Sequence, residues 1–147
     1  MRILILEDEP VCMRFIARVL RNAGFTPLEA SSSEQAIKLC AEHNGSVSLL
    51  VADVFLPHSS GIDTALMLKE VWPSMRVLFT SATPQDAWDL ESWKKAASIP
   101  DALFLRKPFY PSELRRMVAD LLALTPPSPV LCGNIPPSVG ALPPGKP

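Results

Sequence analysis

Residues 49–53 read Leu-Leu-Val-Ala-Asp, and residues 3–8 read Ile-Leu-Ile-Leu-Glu-Asp. Each is a short apolar run that ends abruptly in acid. A run without polar alternation suits a strand buried on both faces, as in a parallel sheet covered by helices. Sheets of that kind hold their ligands at the C-terminal ends of the strands. Glu7, Asp8 and Asp53 should therefore converge at one edge. Three crowded carboxylates repel one another, and a cation with oxygen ligands relieves the repulsion.

The rest of the chain supplies the helices such a sheet needs. Val11, Phe15, Ile16, Val19 and Leu20 recur at helical spacing, and Gly24 stops that helix. Residues 26–30 read as a second strand. Ser31 to Ser33 offer N-caps for a helix bearing Ala36, Ile37, Leu39 and Cys40. The third strand spans 47–53, and Pro57 and Gly61 mark the loop after it. Ile62, Ala65, Leu66, Leu68 and Val71 form the next helix, ended by Pro73. Strands are expected at 76–80 and 102–105, with a helix from Pro84 to about Ala97 between them. Pro111 opens a last helix through Leu114, Val118, Leu121 and Leu122. Strand and helix alternate five times, which predicts an α/β doubly wound parallel sheet with helices on both faces.

Composition narrows the function. The chain has 147 residues, 48% of them hydrophobic, and a net charge of −1. That is enough for one domain with a substantial core, and no basic patch advertises DNA binding. Arg14, Arg18 and Arg21 lie on one side of the first helix and read as a solvated face, a docking surface for an acidic partner being the alternative. Cys12, Cys40 and Cys132 are far apart and lack metal-ligand spacing. Cys12 and Cys40 read as small core residues, so a reducing compartment is expected. With no membrane-length apolar stretch and no signal peptide, the expectation is a soluble cytoplasmic protein. Residues 125–147 hold eight of the sixteen prolines and a single charge, Lys146. They read as a disordered tail after a domain spanning 1–124. Pro126 and Pro129 form a PxxP pattern there, read as plain solvated chain.

Two further strand ends carry chemistry. Ser81 ends the fourth, and Lys107 ends the fifth, directly before Pro108. A carboxylate able to act as nucleophile, a cation site, a lysine and a hydroxyl together suit an anion rich in oxygen, above all a phosphoryl group. Each residue also has a plainer reading. Glu7-Asp8-Glu9 suits a helix N-terminus, Ser81 a turn, Lys107 the surface, His58 and His43 solvated positions, and Trp72, Trp88 and Trp93 packing.

Taken together, these residues resemble the response-regulator receiver domain over residues 2–124. Glu7-Asp8 resembles its acidic pair. Asp53-Val-Phe-Leu56-Pro57-His-Ser-Ser-Gly61 resembles its phosphoacceptor segment, with Leu56 where the family carries Met. Ser81-Ala82 resembles its Thr/Ser-Ala step, and Lys107-Pro108-Phe109 its Lys-Pro-Phe step. The resemblance implies a flavodoxin-like sheet of strand order 2-1-3-4-5. It implies phosphoryl transfer to Asp53 from a histidine kinase or histidine phosphotransfer protein. It implies Mg2+ held by Asp8, Asp53 and the Phe55 backbone carbonyl, with Glu7 helping. Ser81 and Lys107 would contact the phosphoryl oxygens, the Lys107–Pro108 peptide would be cis, and Ser81 and Phe104 would form the switch pair. Packing alone would bias Phe104, which lacks a hydroxyl. The domain would be a signalling switch rather than an enzyme, acting on an unknown downstream protein, with no DNA or membrane contact and no oligomeric state readable.

Two departures stand out. The interval from Ser81 to Lys107 is longer than the family's, and Pro100-Asp101-Ala102 replaces a Gly-Ala turn. Phe55 is bulky where it would restrict an attacking water. Two other functions compete: a partner-binding pseudo-receiver that is never phosphorylated, and an aspartate-nucleophile phosphohydrolase. The hydrolase would need Asp-x-Asp after the first strand, where Glu7-Asp8-Glu9 stands.

Overall fold

The computed structural model describes residues 1–124. The expected tail at 125–147, with its PxxP pattern and Cys132, lies outside them. Five strands, β1 (Arg2–Leu6), β2 (Thr26–Ala30), β3 (Leu49–Asp53), β4 (Arg76–Ser81) and β5 (Leu103–Arg106), alternate with five helices. These are α1 (Pro10–Asn22), α2 (Ser33–Glu42), α3 (Gly61–Val71), α4 (Leu90–Ala97) and α5 (Pro111–Ala123). The sheet is wholly parallel, in the order β2-β1-β3-β4-β5. The predicted fold class and strand order are those observed.

Strand periodicity sorts the apolar residues into two layers. Leu4, Leu6, Leu50, Ala52, Val77 and Phe79 face α2, α3 and α4. Their neighbours Ile3, Ile5, Leu49, Val51 and Leu78 face α1 and α5. Because both faces are covered, every residue of β3 is buried. This is why the strand sequence shows no alternation.

Local signals bound the helices. Ser32 caps α2, accepting from the Gln35 N–H, and Ser60 caps α3; such a cap contributes about 1 kcal/mol. Gly24 adopts φ +93°, which lets the Phe25 N–H reach back to the Leu20 carbonyl. Arg14, Arg18 and Arg21 are exposed, as a solvated face requires.

Three expectations need correction. The third strand begins at Leu49, not at 47, although Val47 is buried. Cys12 packs against the core only as a half-buried residue, beside Glu7. The helix expected from Pro84 to Ala97 is two pieces, a single 3-10 turn over Gln85–Ala87 and then α4, with Trp88 between them. Asp89 caps α4 by accepting from Ser92 N–H, so the helix starts late. Trp88 is buried in the break.

The unusual turn before β5 has a local explanation. Asp101 adopts φ +61°, a left-handed conformation that favours glycine. Its carboxylate accepts from the buried Arg76 guanidinium at 3.2 Å, which offsets the strain.

Candidate functional site

Strand register brings the chemistry together. Leu6 lies beside Ala52, Asp53 beside Thr80, and Ser81 beside Arg106. Glu7 and Lys107 therefore leave their strands at the level of Asp53. The chain departs from β1 towards β2 but returns to β3 on the other side. This opens a crevice between the ends of β1 and β3.

Lys107 sits at the centre. Its Nζ donates to Glu7 Oε1 at 2.6 Å and to Asp53 Oδ2 at 2.8 Å. The remaining oxygens are also engaged: Glu7 Oε2 accepts from Glu9 N–H, and Asp53 Oδ1 from Phe55 N–H, each at 3.1 Å. The Lys107–Pro108 peptide is cis. Asp8, the most exposed of the three acids, completes the cluster. Oxygens of Glu7, Asp8 and Asp53 lie within 4.8 Å of one another. Three carboxylates against one ammonium leave negative charge uncompensated. An all-oxygen donor set of this size fits a hard divalent cation such as Mg2+.

Burial and charge divide the acids. Burial pushes the Asp53 carboxyl above the usual carboxylate range; Lys107 pulls it back, and the Glu7 charge pushes it up again, so the net shift is upward. Burial also works to raise Glu7, but Lys107 and the Glu9 N–H outweigh it and hold it low. Burial works to lower Lys107, yet Asp53 and Glu7 hold it above the ordinary lysine range. The ammonium is therefore charged throughout the physiological range. Burial, then the bond to Glu7 and its charge, push the Cys12 thiol up to about 12. Cys12 is a neutral neighbour of the site and a poor nucleophile.

A stability prediction follows from the Asp53 shift. A raised folded-state pKa means a stabilising contribution present below the ordinary aspartate value of 3.8 and lost as pH rises through the folded value. Ionised Asp53 thus destabilises the metal-free fold at neutral pH. Asp53→Asn should raise the melting temperature in chelator at pH 7, and the gain should shrink in acid. It should shrink too with saturating Mg2+. An unchanged or lower melting temperature in chelator at pH 7 would contradict the assignment.

The other expected residues are placed as follows. Ser81 is buried at the end of β4, where its Oγ accepts from Thr83 N–H at 3.0 Å. Phe104 is buried on β5, against Trp88. Phe55 is 42% exposed at the rim. His58 is exposed in the loop before α3. Sequence reasoning missed Cys12, whose contact with Glu7 only the helix geometry after β1 creates. It also did not identify what Gly61 does. A Cβ there would overlap the Asp53 carbonyl oxygen, so the α3 N-terminus approaches β3 at glycine distance.

The family model described as "Response regulator receiver domain" matches residues 3–119. The chain belongs to the response-regulator receiver family. The receiver is 31% identical over 123 residues to the sensor kinase CckA of Brucella abortus, covering 82% of this chain but only 12% of that protein. It is 27% identical to the response regulator receiver protein CpdR of the same organism, covering 82% of this chain and 96% of CpdR. A crystal structure of a response regulator receiver protein from Sinorhizobium medicae superposes with a TM-score of 0.72 at 26% identity, covering 83% of this chain and 94% of that one. No helix among the described residues of the receiver is long and apolar enough to cross a membrane.

Proposed function

We propose that this receiver accepts a phosphoryl group on Asp53 from a phosphohistidine of a histidine kinase or histidine phosphotransfer protein. The observation that carries the reading is Lys107 Nζ bridging Asp53 and Glu7, with Asp8 within carboxylate reach. The similarity to CckA and CpdR supports kinase-linked signalling.

The chemistry uses the residues as placed. An Asp53 oxygen attacks phosphorus; the new O–P bond forms as the P–N bond breaks, and the electron pair returns to the imidazole nitrogen. Asp8, Asp53 and the Phe55 carbonyl, with Glu7 assisting, would hold Mg2+, which would supply neutralising charge for the phosphoryl oxygens. Lys107 gives up one carboxylate contact for a phosphoryl oxygen, which keeps its charge paired. Ser81 donates its hydroxyl to another. The product is a signal read by a downstream protein in the cytoplasm. Self-directed transfer and hydrolysis are the only reactions.

Acetyl phosphate with Mg2+ should add one phosphoryl group by intact mass, and hydroxylamine should remove it. Asp53→Asn should abolish the adduct, and Asp8→Ala should slow its formation. Labelling of Asp53→Asn at the unsubstituted rate would put the acceptor elsewhere. A Mg2+-binding but unlabelled chain would be a pseudo-receiver.

A further inference from the structure

Three hydroxyls tie the start of α2 to the loop after Asp53. Ser33 Oγ lies 2.8 Å from Ser59 Oγ and 2.6 Å from Thr64 Oγ1, and Thr64 Oγ1 lies 3.0 Å from the Ser60 carbonyl oxygen. Each hydroxyl carries one proton, and that fixes the direction of every bond. A carbonyl oxygen only accepts, so the Thr64 proton goes to Ser60. Ser33 therefore donates to Thr64, and Ser59 donates to Ser33. The chain of bonds runs one way, from Ser59 through Ser33 and Thr64 to the Ser60 carbonyl, and returns to the residue beside its start.

The loop it closes is a small hairpin. Gly61 N–H donates to the Val54 carbonyl at 3.0 Å and Leu56 N–H to the Ser59 carbonyl at 3.2 Å, with Phe55 paired antiparallel to Ser60. Leu56 N–H and the Phe55 carbonyl belong to one planar trans peptide, so they point in opposite directions. Holding Ser59 thus aims the Phe55 carbonyl. Among the described residues, no other hydrogen bond runs from 55–60 to an element besides β3 and α3.

We propose that Ser33 is a positioning residue for the cation site: from a neighbouring helix it fixes Ser59, and through Ser59 the direction of the Phe55 carbonyl. This role rests on the reading of that carbonyl as a Mg2+ ligand beside Asp8 and Asp53. The helix itself does not need the Ser33 hydroxyl, because Ser32 caps α2. Removing that hydroxyl also leaves no buried donor unpaired, since Thr64 still donates to Ser60 and the exposed Ser59 turns to water. Loss of Ser33 should therefore show in metal binding and barely in stability.

The test is Mg2+ titration of the full chain by calorimetry, beside amide exchange in chelator. Ser33→Ala should weaken Mg2+ binding about tenfold, as loss of a group that orients a metal ligand does, at a nearly unchanged melting temperature. In chelator its Leu56 N–H should exchange faster, while the α2 amides from Ala36 to Cys40 keep their protection. Ser33→Thr keeps a hydroxyl and should restore both affinity and protection. Ser59→Ala should match Ser33→Ala, and the double variant should bind no more weakly than either single one. Equal Mg2+ affinity in Ser33→Ala and the unsubstituted chain overturns the role of Ser33 and leaves Asp53 as acceptor. So does additive loss in the double variant, which would show Ser33 and Ser59 acting separately. Lost protection across α2 overturns it too, by making Ser33 a structural residue of that helix. Absence of Mg2+ binding by the unsubstituted chain overturns the cation site itself, and the role of Ser33 with it.

Discussion

Gly61→Ala should lose both stability and acceptor chemistry. The α3 N-terminus packs so closely on β3 that an added Cβ would overlap the Asp53 carbonyl oxygen. The clash is with backbone, which has no rotamer to yield. Either α3 retreats or the end of β3 does. Retreat breaks the Gly61 N–H bond to the Val54 carbonyl and disturbs Ile62, a fully buried core residue. Overpacking of this kind costs about 1–3 kcal/mol. The functional loss should be larger, because displacing the Asp53 backbone moves its carboxylate off Lys107, and phosphoryl transfer depends on sub-ångström positioning. We expect labelling by acetyl phosphate to fall roughly a hundredfold, the size of effect a 1 Å misplacement produces. Ser60→Ala is the control: it removes the α3 cap for about 1 kcal/mol and should leave labelling nearly intact. Equal labelling of Gly61→Ala and the unsubstituted chain would mean that the loop absorbs the methyl group without moving Asp53.

Arg76→Ala should be the most destabilising single change at the opposite edge of the sheet, with little effect on the site. The Arg76 side chain is 8% exposed and that of Asp101 15%. The guanidinium also donates to the Leu124 carbonyl at 3.2 Å, where α5 ends. Truncation leaves the Asp101 carboxylate and that carbonyl poorly satisfied. It also removes what offsets the left-handed backbone of Asp101. Breaking a buried pair from one side costs about 3–5 kcal/mol, which for a domain of this size lowers the melting temperature by roughly 10 °C or more. Asp101→Gly separates the two contributions. Glycine accepts the φ of +61° without strain but removes the carboxylate that Arg76 pairs with, so it should still destabilise, by less than Arg76→Ala. Retained acetyl phosphate labelling below the new melting temperature would show that the two ends of the sheet act independently. A melting temperature unchanged in Arg76→Ala would show the pair to be fully hydrated in solution.

The strands and their charged ends were legible because their cause is local. A strand covered on both faces must be apolar throughout, so β1 and β3 announce themselves in four or five residues, and the first polar residue marks the edge where a ligand can sit. The cap at Ser32, the proline at 111 and the stop at Gly24 are local for the same reason. The segment from Pro84 to Asp89 was not legible. Its residues pass for helix, but Trp88 gains more from burial against Phe55 and Phe104 than from a further turn of helix. Those partners lie 33 residues before it and 16 after it, beyond the reach of any local pattern.

The amino-acid sequence by itself determined the element order, the parallel doubly wound sheet and the convergence of Glu7, Asp8, Asp53 and Lys107 on one edge. Hydrophobic patterning and the rule of right-handed crossovers leave few other arrangements. Only the tertiary structure decided how those charges pair. Lys107 bridges Asp53 and Glu7, Cys12 leans on Glu7, and Gly61 sets how closely α3 approaches Asp53. It alone placed Trp88 among the aromatics and Arg76 under Asp101. Pairing and packing depend on distances between residues remote in the chain, and composition and spacing carry no measure of those distances.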